Sequence, residues 1–195
     1  MTALDVNFVR AQFPAFAEPS LDGQAFFENA GGSYTCGQVI DRLHRFYTQR
    51  KVQPYGSYAV SQLGGAEMDE ARTRLAAMMN VETDELSFGP STSQNTYVLA
   101  HAFAETLSPG DVVIVTDQDH EANSGAWRRL EARGMEVREW QINDETGQLE
   151  TETLAGLLDE KVKLVCFPHC SNIIGQENPV PEIVAMAHAV GAVTC

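Results

Sequence analysis

Positive charge is scarce in this chain. Across 195 residues, 13 Lys and Arg stand against 27 Asp and Glu, a formal net charge of −14. A field of that sign repels phosphate backbones and anionic headgroups, which argues against a nucleic acid or a membrane surface as partner. Long apolar runs are missing as well: none approaches the roughly 18 residues that a membrane span needs. The amino-terminal MTALDVNFVRAQFPAF reads as a short amphipathic helix and not as a signal peptide. Cysteine is limited to Cys36, Cys166, Cys170 and Cys195, too few for a disulfide scaffold. Three of the four lie in apolar, strand-like runs, so buried reduced thiols and a cytoplasmic location are expected. His169 falls between Cys166 and Cys170, but the spacing fits no zinc pattern and no second ligand pair exists, so no metal is expected. The glycine signatures of α/β enzymes are absent too. No Gly-x-Gly-x-x-Gly follows a strand, and neither Gly-x-x-x-x-Gly-Lys nor Gly-x-Ser-x-Gly occurs. Nicotinamide-dinucleotide, P-loop and nucleophile-elbow sites are thereby disfavoured.

What is present divides into two regions, 1–80 and 81–195. The first offers a short extended piece, Ala25–Glu28, and helical stretches at about 37–51 and 66–79. The second stretch carries Leu75, Met78 and Met79 on one face and Glu67, Asp69, Glu70, Arg72 and Arg74 largely on the other. From about residue 85 short apolar runs alternate with amphipathic segments. Strands are expected at 86–88, 112–115, 135–142, 164–167 and 192–195, and helices at about 93–107, 121–133, 152–159 and 179–190. Gly134 and Gly191 stand where helix C-caps belong, and Thr151 where an N-cap does. Such alternation predicts an α/β fold: a doubly wound, mainly parallel sheet with helices on both faces. A strand at 192–195 with no loop beyond its carboxyl end is unusual in an open α/β sheet, so the sequence is expected to continue.

Polar residues gather after these strands. Gly89-Pro-Ser-Thr-Ser-Gln94 places small hydroxyls where a helix begins. Ser91 or Thr92 can serve there as a simple helix cap, or Ser91, Thr92 and Ser93 can form a phosphate cup backed by the helix dipole. Thr116–Asn123 brings His120 to the end of the next strand, as a structural or a functional side chain. His169-Cys-Ser-Asn172 adds polar groups after a third strand.

These segments resemble a known family in order and spacing. Asp119-His-Glu-Ala-Asn-Ser-Gly-Ala-Trp127 is similar to the His-x-Ala-Asn…Trp segment of cysteine desulfurases, within the class V aminotransferase group of pyridoxal-phosphate enzymes. Ser171-Asn-Ile-Ile-Gly-Gln-Glu-Asn-Pro179 resembles that family's Ser-Asn-x-x-Gly-x-x-Asn-Pro. Phe88–Gln94 resembles its phosphate cup, and Phe27-Glu-Asn-Ala-Gly31 its amino-terminal active-site segment. The resemblance runs from about residue 25 to 195 and corresponds to the amino-terminal half of a complete member.

It implies the large domain of the type I pyridoxal-phosphate fold, truncated, with residues 1–80 contributing to the active site and small domain. Pyridoxal 5'-phosphate is the implied cofactor, an amino acid the implied substrate, and a homodimer the implied assembly of the complete protein. By the same resemblance Ser91, Thr92 and Ser93 hold the cofactor phosphate. His120 stacks on the ring and serves in proton transfer, and Asn172 donates to the phenolic oxygen. Asn29, Ala30 and Gly31 lie near the substrate carboxylate. Gln94 and Asp119 depart from the Glu that many members have at the matching positions. The family's Schiff-base Lys and pyridinium Asp match no residue of this chain, whose lysines are Lys51, Lys161 and Lys163. As given, the chain is expected not to turn over substrate. A non-catalytic scaffold, a transaminase or a kynureninase-like lyase remain as alternatives.

Overall fold

A computed structural model describes residues 3–195; Met1 and Thr2, the first residues of the expected amino-terminal helix, lie outside it. The chain divides after Ser87 into two compact units.

The first unit is helical: α1 Val6–Ala11, α2 Gly37–Arg45 and α3 Ala59–Met79. A π-helical turn, Phe46–Arg50, continues α2. Arg45 at the end of α2 and Arg50 of the turn pair with Glu67 of α3 at 3.2 and 3.6 Å, which ties both to the long helix. Tyr55, at φ +64°, lays its ring on Gly65, where a Cβ would come within 2.6 Å of it. One expectation is corrected here. The second helix begins at Ala59, ahead of its charged stretch, because the small residues Ser61, Gly65 and Ala76 supply its buried positions. On the face of Leu75, Met78 and Met79, Leu75 is partly buried and Met78 is 84% exposed.

The second unit holds α4 Thr92–Ala104, β1 Val112–Thr116, α5 Glu121–Arg128, β2 Glu136–Trp140, α6 Thr151–Leu157, β3 Val162–Val165, α7 Val180–Ala189 and β4 Val193–Thr194. All strand pairs are parallel and the order is β2-β1-β3-β4. Val-Val-Ile-Val-Thr of β1 is buried throughout because both faces of the central strand are covered. Val112 and Ile114 pack with Leu154 of α6 and Ile183 of α7. Val113 and Val115 pack with Ala100 of α4, Trp127 of α5 and Leu130. Burial of each such Val or Ile contributes about 1.5–3 kcal/mol relative to exposure. The chain leaves β1 toward one face of the sheet and β3 toward the other, which puts the switch of direction between these neighbouring strands.

Three further expectations change. Residues 86–88 form no strand; they have no neighbouring strand to complete a ladder, and Phe88 is 58% exposed. The N-cap before α6 is Glu150, and Thr151 is the first helical residue. Only Cys166 is a buried thiol; Cys36 is partly buried, while Cys170 and Cys195 are exposed because they fall in a loop and on the edge-strand side. All four are free thiols.

Candidate functional site

Three connections leave the carboxyl edge of the sheet, and the candidate residues of the second unit lie on them or on the start of α4. Ser91 is the N-cap of α4, its Oγ accepting from the Gln94 N–H at 3.2 Å. The first-turn N–H groups of Thr92 and Ser93 have no partner within a 13-residue helix and point out of its positive end. A Cβ on Gly89 would fall 1.7 Å from Asn95 Oδ1, so glycine lets the Asn95 amide fold over the loop that enters the helix.

His120 caps α5 through its ring. Nδ1 accepts from the Ala122 N–H at 2.9 Å, which leaves the proton of the neutral imidazole on Nε2. The preceding Asp119 steadies this corner. It accepts from the His120 N–H at 2.7 Å and from the Asn123 amide. Burial nonetheless raises its pKa, outweighing the lowering by those hydrogen bonds. Below it Arg128 of α5 forms a two-pronged pair with Glu139 of β2, one arm at 2.6 Å, and reaches the Thr116 carbonyl at 3.2 Å. The hydrogen bond to Glu139 raises the Arg128 pKa further.

Ser91, Ser93 and His120 line one open cleft of about 600 Å³ between α4 and α5. Gln94, Tyr97, Arg129 and the carboxylate of Glu121 share its polar wall, and sequence reading assigned no site role to Tyr97, Glu121 or Arg129. Neither Thr92 nor Asn172 lines the cleft. Thr92 is exposed at the start of α4, and Asn172 is exposed in the loop after β3. That loop is closed by Ser171, whose Oγ accepts from the Ile173 and Ile174 N–H groups at 3.4 and 3.3 Å. In the first unit, Asn29 accepts from the Ser33 hydroxyl at 3.2 Å. The Gly31 N–H bonds the Glu28 carbonyl at 3.2 Å, so Asn29, Ala30 and Gly31 form an exposed turn.

Sequence reading missed two buried side chains beneath these loops. Gln118 and Asn178 are 7% and 5% exposed, and their amides bond to each other at 2.7 Å. Asn178 had one visible signal, the Asn-Pro pair at the start of α7; Gln118 had none. Lys161 and Lys163 lie at the amino end of β3, the end of the sheet away from these loops, where Lys163 Nζ bonds the Glu160 carbonyl at 2.8 Å. Among the described residues no cluster of three or more His, Cys, Asp or Glu is placed to hold a metal ion. No described helix is long and apolar enough to cross a membrane.

Residues 25–195 match the model of the aminotransferase class-V family. A cysteine desulfurase of Pectobacterium carotovorum is 35% identical over 195 residues, which cover 97% of this chain and 47% of that protein. An aminotransferase-like protein, FGM3, of Gibberella zeae is 34% identical over 195 residues, with the same two coverages of 97% and 47%. Among solved structures, an apo cysteine desulfurase from Thermococcus onnurineus superposes with a TM-score of 0.86. It is 23% identical and covers 100% of this chain and 48% of its own, a likeness of fold. The chain thus spans about half the length of the curated relatives it matches.

Proposed function

The chain belongs to the class-V aminotransferase family, and from that premise we propose that it supplies the phosphate cup and ring-facing wall of a pyridoxal-phosphate enzyme of the cysteine desulfurase type. The observation that carries this reading is the convergence of Ser91, Ser93 and His120 on one cleft. A hydroxyl pair, two first-turn N–H groups with no partner within the helix and the positive end of α4 suit a dianionic phosphate. The cleft's volume, about 600 Å³, is within the range of small-molecule sites. The residues present therefore fit the cofactor.

Pyridoxal phosphate, when bound, supplies an electron sink for bond cleavage at an amino acid. The chain's own residues would bind, orient and move protons. Ser91 and Ser93, with Thr92 beside them at the start of α4, would hold the phosphate through hydroxyls and N–H groups. His120, locked by the Ala122 N–H into the tautomer protonated at Nε2, offers a flat face and a proton at that atom. Asn172 provides an amide donor from the loop after β3, and Asn29 with Ala30 and Gly31 provides a polar turn for the substrate carboxylate. An amino acid, cysteine by analogy with the relatives, is the proposed substrate, and a homodimer in the cytoplasm the proposed working form. The Schiff-base lysine and pyridinium acid are assigned to the half of the relatives that this chain does not span.

Titrating the chain with pyridoxal phosphate tests the reading, with the quenching of tryptophan fluorescence as the signal. The double substitution Thr92→Ala and Ser93→Ala should weaken binding by about 1–3 kcal/mol. Unchanged affinity would remove the two hydroxyls from the assigned phosphate site. In a protein carrying both halves, His120→Ala should sharply lower turnover while cofactor stays bound. Unchanged turnover would remove its assigned role.

A further inference from the structure

Gln118 and Asn178 form a buried amide clamp under the loops that carry His120 and Asn172. Gln118 stands two residues before His120, and its backbone N–H bonds Thr116 Oγ1 at 3.1 Å. Its Nε2 donates to the Gly147 carbonyl at 3.2 Å, in the turn after β2. Its Oε1 accepts from Asn178 Nδ2 at 2.7 Å. Asn178 also donates to the Pro168 carbonyl at 2.8 Å, and its backbone N–H bonds the His169 carbonyl at 2.9 Å. Entry and exit of the 168–178 loop are thereby pinned together. Two primary amides so join the connections after β1, β2 and β3 at the switch of strand direction. Asn178 Oδ1 is buried and has no hydrogen-bond partner among the described residues, so this position keeps its amide at a polar cost that a purely apolar plug would not carry.

We propose that the Gln118–Asn178 bond is a positioning device, one that sets His120 and Asn172 relative to each other so that both meet one ring. Neither clamp residue lines the cleft, and both act through the side chains they hold in register. The inference rests on the cofactor reading above for the identity of the ring. It rests on the hydrogen bonds alone for the coupling of the loops.

The test compares two probes on the chain and on Gln118→Met and Asn178→Leu. Inorganic phosphate engages the cup alone, whereas pyridoxal phosphate engages the cup and the ring-facing residues. Either substitution should weaken pyridoxal phosphate about tenfold, the scale of one lost hydrogen bond, and leave phosphate affinity within about twofold. The double variant should be no weaker than the weaker single one. Hydrogen exchange should quicken both at 117–121 and at 168–177 in each single variant. Parallel loss of both ligands, retention of both, or quickened exchange confined to the substituted loop would each overturn the proposal. If the unsubstituted chain binds no pyridoxal phosphate, the functional reading falls, and the clamp then stands or falls on exchange across the two loops.

Discussion

Asp119 shows how a single carboxyl is set by its surroundings. Burial raises its pKa although the Asn123 amide and the His120 N–H both favour the charged form. The folded chain therefore holds that proton more tightly than the unfolded chain, where an Asp titrates at about 3.9. The stability this group lends is fully present below that pH and is lost as pH rises through the folded value. Asp119→Asn should accordingly compare more favourably with the parent in Tm at pH 7 than at pH 3.5; an equal difference at both would refute the account. The thiols show a similar contrast. Cys166 is pushed well up by burial, while a hydrogen bond from Cys166 lowers Cys195. Ser91 and His120 were legible as candidates because hydroxyls at a helix start and a titratable ring at a strand end stand out locally. Gln118 was not, and Asn178 showed only as part of a motif, since a hydrogen bond between residues 60 positions apart leaves no periodic trace.

Among the elements, β1 was the most readable because a run buried on both faces is apolar at every position. The helices that cover it were readable from their stripes and glycine stops: Gly134 ends the turn after α5 at φ +93°. Residues 86–88 have the same apolar look, but an isolated triplet forms a strand only when a neighbour completes its ladder. Met78 and Met79, both exposed, are a related case, since amphipathic spacing reports a face that can be buried and not whether something covers it. Ser91 is where element and site meet, because its hydroxyl satisfies an N–H that α4 cannot. Ser91→Ala should cost about 0.5–2 kcal/mol in chemical denaturation. A variant as stable as the parent would mean that the cap contributes nothing to folding.

The molecule as a whole presents an uncovered sheet edge. Among the described residues β4 pairs with β3 alone, and Val193 on it is 47% exposed. Ile173 and Phe27 are 74% and 92% exposed. Open edges and scattered large apolar groups favour pairing between copies. The chain in dilute buffer should therefore self-associate in sedimentation experiments, and Val193→Lys should reduce that association; indifference to the lysine would clear the edge of responsibility. The order β2-β1-β3-β4 also has a consequence in time. β1 leaves the ribosome before either strand that flanks it, and β3 follows only after β2 and α6 have been made. At ordinary rates of synthesis the most apolar segment of the chain waits on the order of seconds for its second neighbour. The central strand is then the part of the nascent chain most in need of a chaperone, and a synonymous codon change that slows translation between Thr116 and Val162 should lower the soluble yield without altering one residue.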